Sequence, residues 1–408
     1  MKQIRLGDYI EVLTDYHSGG SYKTLKEKTK ILHKPSYAVM IRTLNFENDD
    51  FTDDLIYCDK ESYDFLEYSH VFENDVLMNK IANPGSVYIM PKVDYRTTCA
   101  MNLFLLRFKG INQRYLYYVM KNSESYIKSQ THGTTTKTIT KDEVRALTFL
   151  IHNTPEEQND IEKILTNIDT LISNNKSICS DLEATTKLLY DYWFVQFDFP
   201  DENGNPYRSS GGKMVWNEEL KREIPEGWKV KPLGDIINES KKSTVQVNDA
   251  YKNGQYPFFT SGNTVLTYNE FFVDDYHMFL NTGGNPDIKG YKGKCAYSTD
   301  TWCIDADCYS YIVYQYFIRI MSQFEQLFFA GSGLKHLQKD ILKKQNIAIP
   351  PNAVVQSFNR IMEKMWDKKT ECLIENKQLA EMKDFLLPML MNGQVKVTNS
   401  DSSENRGF

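Results

Sequence analysis

No apolar run in this 408-residue chain approaches the ~20 residues needed to span a bilayer. Met1-Lys2-Gln3-Ile4-Arg5 opens no signal peptide, so a cytoplasmic protein with no membrane partner is expected. The seven cysteines form no C-x-x-C pair, and the nearest two, Cys303 and Cys308, have no matching second pair. That excludes the usual zinc spacings and points to reduced thiols. A dominant positive charge is also missing. With 48 Lys and Arg against 54 Asp and Glu, the net charge is −6, which argues against gripping nucleic acid alone through one large basic face.

Catalytic motifs are missing too. An amino-methyltransferase needs an Asn/Asp-Pro-Pro-aromatic motif and a Gly-rich loop, whereas Asn205-Pro206-Tyr207 has one proline and sits in turn composition. Gly211-Gly212-Lys213-Met214 lacks the spacing and the hydroxyl of a phosphate loop. Asp201 and Glu219-Leu220-Lys221 match a metal-nuclease pattern only loosely, with no apolar strand beneath either carboxylate. No catalytic residue and no metal ligand is expected.

What is present is a duplication. Leu6-Gly7-Asp8 recurs as Leu233-Gly234-Asp235, offset by 227 residues, and Tyr37 has a looser counterpart in Tyr256. Asn79 and Asn83-Pro84 recur as Asn281 and Asn285-Pro286, offset by 202. Gly133, Lys137, Ile139, Asp142 and Gln158 match Gly331, Lys335, Leu337, Asp340 and Gln356, offset by 198. An offset that only shrinks along the chain marks a domain written twice with different loop lengths. Residues 1–150 and 233–349 read as mixed α/β, with β-branched and aromatic runs such as Ser86–Met90 and Tyr309–Val313 bounded by turn formers. Short helices are expected at Arg114–Ser129 and Gln315–Phe329.

Each copy is followed by a long helix. The first, within 151–197, has Thr154 as N-cap and Glu156-Glu157 in its first turn. Its heptad seam is read as Ile161, Ile164, Ile168, Leu171, Asn175, Ile178, Leu182 and Leu189, ending at Tyr192, with Leu165, Ile172 and Trp193 widening it. At 1.5 Å per residue it is a rod of roughly 60 Å. The second, within 350–392, has the column Phe358, Met365, Cys372, Leu379 and Leu386, flanked by Trp366, Leu373, Ala380 and Leu387. Lys369 and Lys383 interrupt its other edge, and Pro388 should kink or end it. The two helices are expected to pair antiparallel, with Asn175 and Asn376 setting register. Residues 198–232 have linker composition, and 393–408 read as a disordered tail. The expected fold is α+β: two similar mixed α/β domains, separated by two long antiparallel coiled-coil helices, with internal pseudo-two-fold symmetry.

At this point the residues carry a family resemblance. The segment Leu188-Leu189-Tyr190-Asp191-Tyr192-Trp193-Phe194-Val195-Gln196-Phe197-Asp198-Phe199-Pro200 continues into Gly204-Asn205-Pro206-Tyr207, Met214-Val215-Trp216 and Ile224-Pro225-Glu226-Gly227-Trp228. Leu-Gly-Asp opens each half. The second half closes with Gly331-Ser332-Gly333-Leu334-Lys335-His336-Leu337, then Ile347-Ala348-Ile349-Pro350-Pro351 and Gln356. In the first half Thr134-Thr135-Thr136-Lys137 and Ile151-His152-Asn153-Thr154-Pro155 stand in degraded form for those stretches. Nearly the whole chain thereby resembles the specificity subunit of type I restriction-modification systems.

That resemblance implies two target-recognition domains, each reading one half of a bipartite site on double-stranded DNA. It also implies that the paired helices set the spacer and dock two methyltransferase subunits, with restriction/translocase subunits able to join. No cofactor is expected on this chain; S-adenosylmethionine, ATP and Mg2+ belong to the partner subunits. Two other classes compete: a methyltransferase or nuclease with fused recognition domains, and a coiled-coil scaffold whose end domains bind protein.

Bases are read by Arg, Lys, Asn, Gln, Ser and Thr, and phosphates by Lys, Arg and backbone amides. Lys23, Lys26, Lys28, Lys30 and Lys34 against Glu27 make residues 23–34 locally basic, whereas 47–67 are strongly acidic and cannot lie on phosphates. The expected DNA contacts in the first domain are Lys23, Arg42, Thr43, Asn45, Asn79 and Lys80. In the second they are Ser261, Asn263, Asn281, Thr282, Lys289, Lys292 and Lys294. Lys137 and Lys335 are matched positions where each domain meets its rod, suited to phosphate. Asn83-Pro84 and Asn285-Pro286 read as turn formers.

Overall fold

The computed structural model describes all residues except 134, 135, 252, 263, 334 and 398–408. The chain divides into two compact units, residues 1–171 with 378–408, and residues 172–377. Both are built on the same plan.

In the first unit, strand Lys2–Arg5 pairs antiparallel with Thr148–Ile151, so the domain closes where it begins. Its main sheet is antiparallel, in the order Ile10–Asp15, Leu103–Phe108, Val76–Asn79, Val87–Ile89. A second, five-stranded sheet contains one parallel pairing, Ala38–Ile41 with Thr97–Cys99. The second unit repeats this. Lys229–Pro232 pairs with Asn346–Ile349, and Asn238–Glu239, Thr301–Asp305, Tyr276–Asn281 and Ile288–Lys292 form the antiparallel sheet in the same order. A three-stranded sheet again has one parallel pairing, Tyr256–Phe259 with Ala296–Tyr297.

The Leu-Gly-Asp motif has a physical reason in both copies. Each is a single 3-10 turn whose leucine is fully buried. Leu6 N–H donates to the Leu147 carbonyl and Leu233 N–H to the Gln345 carbonyl. A Cβ on Gly7 would lie 2.8 Å from the Arg145 carbonyl oxygen, so only glycine lets the turn touch that helix end. The Tyr37–Tyr256 match slips by one residue. The parallel strand pairs superimpose Ile41 on Phe259, which sets Tyr256 against Ala38.

Three expectations about local structure change. Tyr309–Val313 is not a strand: Ser310–Phe328 is one helix. Its first turn is buried on nearly every side, and an all-round apolar helix reads as the same continuous run that a buried strand would give. In the first unit the corresponding region breaks at Ser123 into Gln113–Asn122 and Glu124–Ser129. Residues 198–232 are folded rather than linker. Asp201 accepts the amides of Asn203 and Asn205, Asp198 accepts Ser209 N–H and Oγ–H, and a hairpin pairs Met214–Asn217 with Arg222–Pro225. Phe199, Ile224 and Trp228 from this stretch are buried in the second unit's core.

The long helices are Pro155–Tyr190 and Asn352–Met391. Thr154 caps the first reciprocally with Glu157. Pro388 does not end the second, which runs one more turn before Gly393 turns left-handed at φ 69. Of the expected tail, 393–397 continue from that turn and 398–408 lie outside the described residues.

Within each unit the two helices run antiparallel. In the first unit Ile161 and Leu165 share a core with Leu386, Leu387 and Leu390, and Lys383 pairs with Asp169. In the second, Asn175 donates to Asn376 Oδ1 at 3.0 Å and Lys369 pairs with Glu183 at 2.6 Å. The buried and half-buried positions of the first helix include Gln158, Ile161, Ile164, Leu165, Ile168, Ile172, Asn175, Cys179, Leu182, Thr186 and Leu189. The expected column Ile161, Ile168, Asn175, Leu182, Leu189 therefore lies inward. Of its expected other edge, Ile164 is half-buried against the first unit's core, whereas Leu171 and Ile178 are exposed. Past Ile164 the covered flank is the one that carries Ile172 and Cys179, and the flank that carries Leu171 and Ile178 is left outside. On the second helix Phe358, Cys372 and Leu379 are buried, with Met365 and Leu386 half-buried. Leu373 is exposed.

Candidate nucleic-acid interface

Each unit gathers four loop stems by the same four backbone hydrogen bonds. Ala100 N–H donates to Ile41 O at 2.9 Å, as Ser298 does to Phe259 O. Lys80 N–H donates to Asn102 O at 2.9 Å, as Thr282 does to Asp300 O at 3.1 Å. Ile139 N–H meets Lys80 O at 3.2 Å and Leu337 N–H meets Thr282 O at 3.0 Å. Ala82 N–H meets Lys137 O and Gly284 N–H meets Lys335 O, both at 3.1 Å. These bonds bring the loop after one parallel strand, the end of one main-sheet strand, the start of the next, and the domain-closing loop into one cluster per unit.

The sequence-expected residues fall unevenly on this cluster. In the second unit Ser261 Oγ and Thr282 Oγ1 both donate to the Asp300 carbonyl, at 2.5 and 2.8 Å. Lys289 Nζ reaches the Thr260 carbonyl at 3.3 Å and pairs with Asp287 at 2.6 Å. Lys335 is exposed and paired with Glu325. Asn281 lies beneath the surface, its amide donating to the carbonyls of Ser261 and Asn285. Lys292 and Lys294 are not brought in. Lys292 pairs across the sheet with Tyr276, five residues from Asn281, which at ~3.4 Å per residue puts it about 17 Å from the loop end. There Lys292 holds Asp367 at 2.6 Å, and Lys294 lies over the Phe271 ring. Asn263 lies outside the described residues.

In the first unit Lys137 is exposed beside the cluster, and Thr43 is half-buried just after the Ile41 stem. Arg42 is turned onto Asp54, donating to its carbonyl and carboxylate. Asn45 is buried as a cap: its Oδ1 accepts Arg42 N–H and its amide donates to Asp50 O. Asn79 is buried as well. Lys23 stands exposed on the helix Tyr22–Lys28.

Lys80 is the sharpest departure from expectation. Its side chain is 9% exposed and forms an ion pair with Asp15, itself 8% exposed; Lys141 joins at 3.0 Å. Burial works against the Asp15 carboxylate, but hydrogen bonds and charge from Lys80 and Lys141 outweigh it and hold its pKa below the ordinary range. Lys80 thus serves as the internal tie of the loop cluster. Asp15→Ala would leave the Lys80 ammonium without a carboxylate, beside His17 Nδ1 at 3.2 Å and over the Phe104 ring. The expected loss is roughly 3 kcal/mol, the low end for breaking a buried pair. The sign with pH follows from the lowered folded pKa: the stabilisation is complete above the usual carboxylate range and is lost as pH falls through the folded value. Urea unfolding at pH 7 and pH 3 checks both statements. Equal losses at the two pH values would refute the ion-pair account.

Reading the sequence missed Lys141 and its partner Lys339. Both sit at the 198 offset that already matched Asp142 with Asp340, and Lys339 lies 3.7 Å from Glu239 and over the Trp302 ring. It also missed Asn102 and Asp300, whose backbone carbonyls are the hubs, because a carbonyl's role carries no side-chain signal.

Among the described residues no group of three or more His, Cys, Asp or Glu is placed to hold a metal ion, and no helix is long and apolar enough to cross a membrane. All seven cysteines are free. Tyr207 of the Asn205-Pro206-Tyr207 stretch stacks on Phe199 at 4.8 Å and donates to the Lys213 carbonyl, as a turn residue would.

A family model described as type I restriction modification DNA specificity domain matches residues 1–184 and 225–382. The chain belongs to that family. It is 26% identical over 321 residues to the specificity subunit of type I restriction enzyme MjaIX from Methanocaldococcus jannaschii, covering 71% of this chain and 70% of the relative. The EcoDI specificity subunit from Escherichia coli is 22% identical over 190 residues, 46% of this chain and 43% of that one. The crystal structure of the S subunit of a type I restriction-modification system from M. genitalium shares the fold, with a TM-score of 0.58, 14% identity and 95% of each chain covered. The chain is a DNA specificity subunit, a non-catalytic role in a type I restriction-modification system. Its matched segments, separated by residues 185–224, are the two copies of the repeat.

Proposed function

We propose that each domain reads one half of a bipartite, asymmetric double-stranded DNA site with its loop cluster, and that the long helices set the spacer between the halves. The observation that carries this reading is the fourfold backbone hydrogen-bond set, repeated in both units around loops that share almost no side chains. A common frame with different loop contents is what two independent readers of two different half-sites require. Within the frame the contacts are assigned to the exposed or half-exposed groups: Lys137 in the first domain, and Ser261, Thr282, Lys289 and Lys335 in the second. Lys23, Lys292 and Lys294 are further candidates for flanking phosphate.

The helices in this reading dock two methyltransferase subunits, which restriction/translocase subunits then join, in the cytoplasm. S-adenosylmethionine, ATP and Mg2+ act on those partners. The exposed Leu171 and Ile178 on the first helix, and Leu373 on the second, are apolar positions that the pairing of the two helices leaves uncovered. Half-sites read from one face of a duplex lie about one helical turn, ~34 Å, apart.

With a net charge of −6, the chain alone is expected to bind DNA weakly and without sequence preference. With its methylating partner, binding becomes tight, specific and steeply salt-dependent, log K falling by ~0.9 per phosphate contact for each decade of salt. Fluorescence anisotropy on cognate and scrambled duplexes across a salt series is the measurement. Nanomolar specific binding by the isolated chain at physiological salt would contradict the proposal.

A further inference from the structure

One pair of thiols in the second unit is not used by DNA recognition. Cys179 and Cys372 stand on the two long helices, one turn past the Asn175–Asn376 hydrogen bond and one turn before the Lys369–Glu183 ion pair. Register alone makes them face each other. Cys179 Sγ also lies 3.9 Å from the carbonyl oxygen of Lys369, three residues before Cys372 on the same helix. Packed helix axes run ~8–10 Å apart and Cα atoms sit ~2.3 Å off each axis. Facing seam Cα atoms therefore fall near the ~4.4–6.8 Å that a disulfide spans. Cys372 is fully buried, whereas Cys179 is only partly buried.

We propose that Cys179 and Cys372 are a reversible oxidation site, closed to a disulfide across the helix pair by a small peroxide. The Cys179 sulfur attacks one peroxide oxygen and the O–O bond breaks. The departing hydroxide takes the thiol proton as water and leaves a sulfenic acid on Cys179. The Cys372 sulfur then attacks the Cys179 sulfur, the S–O bond breaks, and the second hydroxide leaves with the Cys372 proton as water. Two thiols are oxidised and one peroxide is reduced to two waters. The bond ties the chain into a ring that contains the whole second recognition domain and clasps the helices in the register of the Asn175–Asn376 contact. Burial first, and then the neighbouring Cys372, push the Cys179 thiol up from its ordinary pKa. Attack is accordingly slow, which suits a clasp formed under sustained oxidation rather than a fast sensor.

The test treats the reduced full chain with hydrogen peroxide, alkylates the remaining thiols and maps the peptides by mass spectrometry. The expected product is a Cys179–Cys372 linked peptide lacking two hydrogens, formed in most molecules and released by dithiothreitol. The exposed Cys308 should appear without an intramolecular link. Cys372→Ala should abolish the linked species, and Cys179→Ser should do the same from the partly buried side, so that misfolding of one variant does not decide the result. The proposal is overturned if both cysteines stay fully alkylatable while Cys308 is oxidised. It is equally overturned if Cys179 advances to sulfinic acid with Cys372 still a free thiol.

Discussion

Exchanging residues 229–349 for the corresponding segment of another family member is expected to change one half of the methylated sequence completely and leave the other half and the spacer as they were. The boundary follows from strand pairing. Lys229–Pro232 is hydrogen-bonded to Asn346–Ile349, so a cut at the Leu-Gly-Asp motif would sever the domain's own closing sheet. The segment contains the antiparallel sheet, the three-stranded sheet and the complete second loop cluster, including Ser261, Thr282, Lys289 and Lys335. The aromatic anchor that receives it stays behind: Trp193 and Phe194, just past the end of the first long helix, and Phe358 on the second form part of the second unit's core. A graft should therefore keep the apolar surface that meets these rings. Mapping methylated adenines in cells carrying the hybrid, with its methylating subunit, reads both halves at once. A hybrid that altered both halves would show that the domains do not read independently.

Phe358→Ala should give the largest loss of stability of any single change on the helix pair. Phe358 is fully buried, with its ring 4.7 Å from Phe194 and 5.5 Å from Trp193. Truncating such a side chain costs about 3–5 kcal/mol in transfer and cavity terms, a large share of the ~5–15 kcal/mol that holds a typical domain folded. It acts where helix and second domain share a core, so half-site recognition by that domain should weaken along with stability. Leu373→Ala is the control: it is 43% exposed and should stay within about 0.5 kcal/mol of the parent. Denaturant midpoints compared at constant slope separate the two. If Phe358→Ala and Leu373→Ala unfold alike, the helix is not anchored through that ring.

The polar groups of the interface were only partly legible. Asn79, Lys80 and Asn281 look like surface readers in the sequence because Asn and Lys are usually exposed. Two of them are matched repeat positions, yet the repetition reflects a shared loop frame rather than a shared target. Asn281 supports two loop carbonyls, and Lys80 is consumed by Asp15. The sequence distance between residues 15 and 80 hides that pairing. Lys292 and Lys294 look adjacent to Lys289, but a strand carries them to the opposite end of the sheet.

From sequence alone came the duplication, the two long helices, the absence of catalytic machinery and the family, because each is written in local spacing: repeated motifs at a shrinking offset, apolar positions every three or four residues, and missing signatures. The inward column Ile161, Ile168, Asn175, Leu182 and Leu189 was readable for the same reason. Only the tertiary structure decided which flank of that column meets the partner helix, leaving Leu171 and Ile178 outside and Cys179 opposite Cys372. It alone showed that Ser310–Phe328 is helix throughout, that 198–232 is folded, and which polar side chains face outward. Those outcomes depend on what packs against a segment from far along the chain, and a helix with two apolar flanks or a lysine with a distant carboxylate does not announce its partner.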